Sequence, residues 1–245
     1  MTRTISLILL VACNGKDPDC PEGTVLNFEG ECAPLGGDTD TDTPDTDETD
    51  DTGDTGEGVS YDVCSKDAPH TVIQAAIDEA AAGATITLCP ETFNETLTID
   101  KAITLTGPDD GPTARIDARG DGVVISVSPA ASGAVLSHLV LRNGDAAPSD
   151  GSGGYGGGLR VEGATVTISH LQIEDGIASV SGGGLALIGS DALVEDLVVK
   201  AGRAADAGGG VYVSGGAPIF RRLTVEGSYA GRGGGLYATK TPMQL

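Results

Sequence analysis

The chain has 245 residues, a formal net charge of -22 at pH 7, 38 glycines, no tryptophan and only 3% aromatic residues. So acidic a balance argues against nucleic acid and anionic membrane surfaces as partners, because both select basic patches. With so few rings available, any core has to be built from Val, Ile, Leu and Ala.

The amino end reads as a targeting segment. Arg3 precedes a short apolar run over residues 5–12, too short to span a bilayer but suited to the apolar stretch of a signal peptide. The run ends in Leu10, Val11, Ala12 and Cys13, which resembles the lipobox of bacterial lipoproteins. The resemblance implies removal of residues 1–12, diacylglycerol on the Cys13 sulfur and export, with Asn14 rather than aspartate at the next position. It places the protein at a bacterial outer membrane or cell surface, held by several acyl chains. An ordinary secretory signal with an incidental cysteine is the alternative.

Beyond Cys13 there are Cys20, Cys32, Cys64 and Cys89. An exported compartment permits disulfides, and local pairing of Cys20 with Cys32 and Cys64 with Cys89 is the simplest of the possible connectivities. Zinc competes poorly, since no pair has C-x-x-C spacing and His70 stands alone. Residues 13–37 thus form a lipidated amino-terminal piece with a small disulfide loop. Residues 38–58 follow as Asp, Thr, Gly, Glu and a single Pro, with ten acidic residues. This composition cannot bury enough surface to offset its ordering entropy, so it is expected to be a disordered tether of about 25 Å; calcium binding is its other reading.

A folded domain is expected over 59–245. The stripe Val72, Ile73, Ala76, Ile77 and Ala80 predicts a helix over 71–82, stopped by Gly83. Strands are expected at 86–88, 97–99 and 103–105. Laid across the first coil of a solenoid, such a helix would cover an open strand edge. The run from Thr71 to Gly107, with Ile73-Gln74-Ala75-Ala76-Ile77, Phe93, Glu95 and residues 103–107, resembles the amino-terminal cap and first coil of the pectate lyase and pectin methylesterase superfamily.

Glycine triplets then recur at 156–158, 182–184, 208–210 and 233–235, with starts 26, 26 and 25 residues apart. Behind each come apolar positions in register, such as Leu159, Val161, Val166, Ile168, Leu171 and Ile173, followed by Leu185, Leu187, Ala192, Val194, Leu197 and Val199. Each copy therefore holds three short apolar-polar-apolar segments, the pattern of three half-buried strands. A leucine-rich repeat needs a helical arc and a propeller blade about 40 or more residues. The architecture is all-β, a parallel β-helix of about six coils, counted from residue 84, with an amino-terminal capping helix, and right-handed as the resemblance implies. Ala178, Ala204 and Ala230, again 26 apart, mark a column of tight corners.

The pattern Gly-Gly-Gly-Leu-x-Val, then Ile-Ser-His-Leu-x-Ile and a small corner residue, is similar to the repeats of polymorphic outer-membrane proteins. Those repeats carry asparagine where this chain has Gly144, Gly176, Gly202 and Ser228, and again where it has His138, His170, Asp196 and Arg222. An asparagine ladder is therefore not expected.

Three groups of residues are candidates for chemistry. His138, His170, Asp196 and Arg222 share one repeat position and should stack about 4.8 Å apart, as a mixed-charge turn stripe or as metal or acid-base groups. Asp145 and Asp150, in an extra loop over 145–155, with Glu174 and Asp175 one coil on, are the set that would bind Ca²⁺; no other cofactor is implied. Arg160, Tyr212 and Tyr237, with Ala186 in the same column, are expected to face outward and offer a stacking surface to sugar rings. The functional expectation is a surface structural or carbohydrate-recognition module. The alternative is a polysaccharide lyase or esterase, although no segment carries the motifs of those catalytic groups, and a third is an inactive remnant. The final coil, begun at Leu236 and ended at Leu245, looks truncated and leads us to expect either fraying of that coil or end-to-end self-association.

Overall fold

The computed structural model describes residues 59–66, 68–110 and 113–244, and the backbone of β1 (Thr24–Leu26) and β2 (Cys32–Pro34). These two strands pair antiparallel within an amino-terminal unit of their own. The signal segment 1–12, Cys13, Cys20, the Cys32 side chain and the acidic run 38–58 lie outside the described residues.

The second unit winds in coils. Strand β3 (Ser60–Val63) leads into α1 (Ile73–Glu79), and β4 (Thr85–Leu88), β5 (Thr92–Phe93) and β6 (Leu97–Ile99) complete the first full coil. The next coil holds β7 (Thr104–Thr106), β8 (Ala114–Asp117) and β9 (Ile125–Val127). Then come β10 (Val135–Ser137), β11 (Leu139–Arg142), β12 (Asp145–Ala146) and β13 (Leu159–Glu162), and after them β14 (Thr167–Ser169), β15 (Gln172–Glu174), β16 (Ile177–Ala178) and β17 (Leu185–Ile188). The last two coils are β18 (Leu193–Lys200), β19 (Arg203–Ala204) and β20 (Val211–Ser214), then β21 (Ile219–Glu226) and β22 (Leu236–Thr239).

Every pairing between coils is parallel and matches repeat position to repeat position. In the first ladder Ile86, Leu105, Leu136, Ile168, Val194 and Phe220 lie directly above one another, each at most 3% exposed. The second runs through β5, β8, β11, β15 and the later halves of β18 and β21; the third runs through β6, β9, β13, β17, β20 and β22. Stacked aliphatic columns fill the interior because the period-2 alternation turns every second side chain inward. This is a parallel β-helix. Six rungs follow residue 84 in the first ladder, as expected, and β3 adds one before the helix, giving about seven turns.

The glycine triplets serve two different needs. The first of each adopts a left-handed backbone, with φ of 73°, 75°, 62° and 56° at Gly156, Gly182, Gly208 and Gly233. In the first three triplets the middle one has no room for a side chain: a Cβ on Gly183 would fall on the backbone of Arg203 and on the Gly209 carbonyl. The alanine column is more than a row of corners. Ala146, Ala178 and Ala204 lie in a fourth ladder made of β12, β16 and β19, and with Val123 and Ala230 they form a small second core.

The helix is shorter than its apolar stripe, because Val72 and Ala80 are extended. Its first amides, Ile73 N and Gln74 N, donate to the Glu95 carboxylate at 3.0 and 3.1 Å. Its last carbonyls accept from the Lys101 ammonium, at 3.1 Å for both Asp78 and Ala80. Opposite charges thus sit at the two ends where the helix dipole favours them. Ile73, Ala76 and Ile77 are buried, and the helix packs on β3, β4 and β6. A disulfide joins Cys64, just past β3, to Cys89, just past β4, with Cα atoms 5.1 Å apart.

Candidate functional site

The third ladder places Arg160, Ala186, Tyr212 and Tyr237 in one column, paired residue to residue. The rings of Tyr212 and Tyr237 are parallel within 2° with centroids 6.0 Å apart, an offset rather than eclipsed arrangement. Arg160, Tyr212 and Tyr237 are half-buried, whereas Ala186 is fully buried. Ala186 keeps its place in the column, paired with Arg160 and Tyr212, but its short side chain offers no exposed surface.

A third ring joins the column from outside the repeat. Tyr155 ends the extra loop and packs 5.6 Å from Tyr212 at 37°. Its position is fixed by bridges running from Tyr155 to Ser181, Ala207 and Arg232. Arg232 in turn sets its guanidinium 5.1 Å from the centroid of Tyr237, a cation-π contact. Hydrogen bonds from Arg232 to Asp206 raise the arginine's pKa and keep it charged. Sequence reasoning passed over Tyr155 and Arg232, although 155, 181, 207 and 232 repeat with the same spacing of 26, 26 and 25 as the triplets.

Between the loop and the column lies a groove of about 280 Å³, whose walls include Ser152, Tyr155, Arg160, Glu162, Tyr212 and Ser214. Arg160 donates to Glu162 through one terminal nitrogen at 2.5 Å, while its buried Nε has no hydrogen-bond partner among the described residues. The loop is held by Asp150, which accepts from Ala147 N at 2.9 Å and Ser152 N at 2.7 Å. Ser152 Oγ closes the arrangement by donating to the Ala147 carbonyl and accepting from Gly154 N. Burial opposes ionisation of Asp150, but the bonds from Ser152 and Ala147 outweigh it and lower the pKa.

The proposed calcium set does not assemble. Asp150 is committed to its loop, Glu174 accepts from Gln172, and Asp145 and Asp175 line a separate groove. Among the described residues one trio of metal-type ligand atoms lies together, that of Cys64, Cys89 and Glu91, and its sulfurs are joined in the disulfide. Glu91 accepts from Ser65, and that bond lowers its pKa.

The remaining column does stack. His138, His170, Asp196 and Arg222 all adopt left-handed backbone at the corner between the first and second ladders, with φ of 54°, 51°, 50° and 58°. The two imidazoles lie 4.7 Å apart and within 9° of parallel. Asp109 stands 3.2 Å from His138, Asp196 stands 3.4 Å from His170, and Arg222 grips the other side of Asp196. Arg222's hydrogen bond is the main reason that the Asp196 pKa is lowered. The stacked histidines are thus flanked by Asp109 on one side and by the Asp196–Arg222 pair on the other, a mixed-charge stripe along the corner.

No protein-family model matches the chain, and no curated protein does either. Among solved structures, the pectin methylesterase from Aspergillus niger is similar over 72% of this chain and 86% of that one, at 16% identity and a TM-score of 0.34.

Proposed function

We propose that the chain is an exported, lipid-anchored β-helix whose tyrosine face recognises carbohydrate. The observation that carries this reading is the convergence of Tyr155, from the loop, with Tyr212, from the third ladder, on one groove, with Tyr237 stacked against Tyr212. Aromatic surface bordered by a few fixed polar groups suits the C–H faces and hydroxyls of a sugar. Glu162 and Ser214, both lining the groove, supply those polar groups. At this face Asp150, whose pKa is lowered against opposing burial by its bonds from Ser152 and Ala147, holds the loop that carries Tyr155.

The anchor rests on the Leu10-Val11-Ala12-Cys13 run. Mass spectrometry of membrane-fraction protein should find a lipid-modified Cys13 at the new amino terminus; an intact Met1 or unmodified Cys13 would refute it. For recognition, the full chain is screened on a glycan array alongside Tyr155→Ala and Tyr212→Ala. Binding lost in both variants supports the proposal, and binding untouched by both overturns it. Release of unsaturated product from polygalacturonate or alginate, or of methanol from esterified pectin, would assign the face to an enzyme instead.

A further inference from the structure

A second groove, of about 410 Å³, follows the corner between the second and fourth ladders, well separated in the repeat from the tyrosine column. Gly120 and Gly144 line it, and glycine recurs at this corner because a Cβ on Gly144, Gly176 or Gly202 would strike the carbonyl oxygen of Gly157, Gly183 or Gly209. One wall carries Arg119, Asn143, Asp175 and Ala201, each in left-handed backbone with φ between 53° and 55°. The other carries Asp145, Ile177 and Arg203, stacked in register. The result is a trench about 14 Å long, three rung spacings from Arg119 to Arg203.

The charges along it run Arg119, Asp145, Asp175, Arg203, positive at both ends and negative between. All four are exposed, and among the described residues none forms an ion pair. Arg142, Arg160, Arg221, Arg222 and Arg232 each have a carboxylate partner, whereas among the described arginines Arg115, Arg119 and Arg203 have none. The trench charges sum to zero in a chain whose net charge is -22. A free anion meets the two carboxylates, and a divalent cation meets the two guanidiniums. A molecule bearing both an ammonium and a carboxylate satisfies neighbouring rungs at once, because guanidinium matches carboxylate in shape as well as charge. Ile177, 44% exposed, adds an apolar contact in the middle.

We infer that this glycine-lined trench binds a small zwitterion of the amino-acid or short-peptide class, with its carboxylate at Arg203 and its ammonium at Asp175. The site is open, so affinity is in the millimolar range, where exposed charge pairs contribute little each.

The test titrates the full chain with dialanine, with N-acetyl-dialanine, which lacks the ammonium, and with dialanine amide, which lacks the carboxylate, following backbone amide shifts. Dialanine should saturate and move the amides of residues 143–145, 175–177 and 201–203. Each capped form should bind more weakly, by up to about fivefold, the worth of one exposed pair. Arg203→Ala and Asp175→Asn should weaken dialanine by a similar factor with unchanged melting temperature. Tyr212→Ala should leave dialanine binding intact, which separates this trench from the carbohydrate face. Equal binding of all three probes, shifts confined to other residues, or no saturation at tens of millimolar would overturn the inference.

Discussion

The side-chain amide of Gln74 pairs with the backbone of Thr98 as a neighbouring strand would: Thr98 N donates to Gln74 Oε1 at 2.8 Å, and Gln74 Nε2 donates to the Thr98 carbonyl at 3.2 Å. Strand β6 begins the third ladder and has no strand on its outer side, so one glutamine on α1 completes the edge that the helix covers. Gln74→Ala should therefore cost about 1–2 kcal/mol in urea unfolding, more than an exposed helix position otherwise would. A loss no larger than that of Glu79→Ala would show that the edge does not depend on this pair.

Inward and outward positions alternate sharply at 170 and 171. Leu171 is 1% exposed within the aliphatic columns, whereas His170 is on the surface in the charged stripe. Leu171→Asp should abolish folding, since an unpaired carboxylate there costs more than a domain of this kind has in reserve. His170→Ala should lower stability by about 1 kcal/mol or less. Thermal melts decide it, and equal losses would contradict the assignment of faces.

Two glycines separate crowding from backbone strain. Gly189 has φ +60° with open space around its Cβ position, and Gly183 has ordinary φ with neighbouring backbone in that position. Gly189→Ala should cost about 1–2 kcal/mol, the left-handed penalty alone. Gly183→Ala should cost about 3 kcal/mol or more, or leave the chain unfolded, because packed backbone cannot give way. Urea midpoints of the two variants provide the comparison.

Acid should act on Asp196 and Asp150 in the same sense. Both have folded pKa values below their ordinary ones, through Arg222 for Asp196 and, against opposing burial, through Ser152 and Ala147 for Asp150. The stability each contributes is present above the unfolded carboxylate range, about pH 4, and disappears as pH falls through the lowered value. Melting temperature followed from pH 7 to 2 should drop less steeply on the acid side in Asp196→Asn and Asp150→Asn than in the parent. A steeper drop would reverse the sign and refute the pairing. Asp150→Asn should also weaken glycan binding by loosening the loop that delivers Tyr155.

The Cys64–Cys89 disulfide closes a loop of sequence separation 25. Chain-entropy arguments give about 3–4 kcal/mol for a loop of that size. The double variant Cys64→Ser with Cys89→Ser should melt well below the parent, with amides of β3 losing hydrogen-exchange protection first. Uniform loss of protection along all the coils would show that β3 is no separate opening unit.

In a stacked solenoid, residues one repeat apart in sequence are neighbours in space, so spacing alone carries long-range information. That is why the aliphatic columns, the His138 to Arg222 stripe and the Arg160, Tyr212 and Tyr237 column were legible from the chain, whereas the pairing of Cys64 with Cys89 was read from local proximity. The period fixes register, and register fixes which side chains meet. What falls outside the period had no such guide. Gln74 reaching Thr98, Tyr155 closing on Tyr212 and Asp150 locking its loop depend on a helix and an insertion whose placement is set by contacts with distant coils. The burial of Ala186 and the alternating open charges of the glycine trench likewise emerged only in three dimensions, because each depends on the heights and directions of side chains on adjoining rungs.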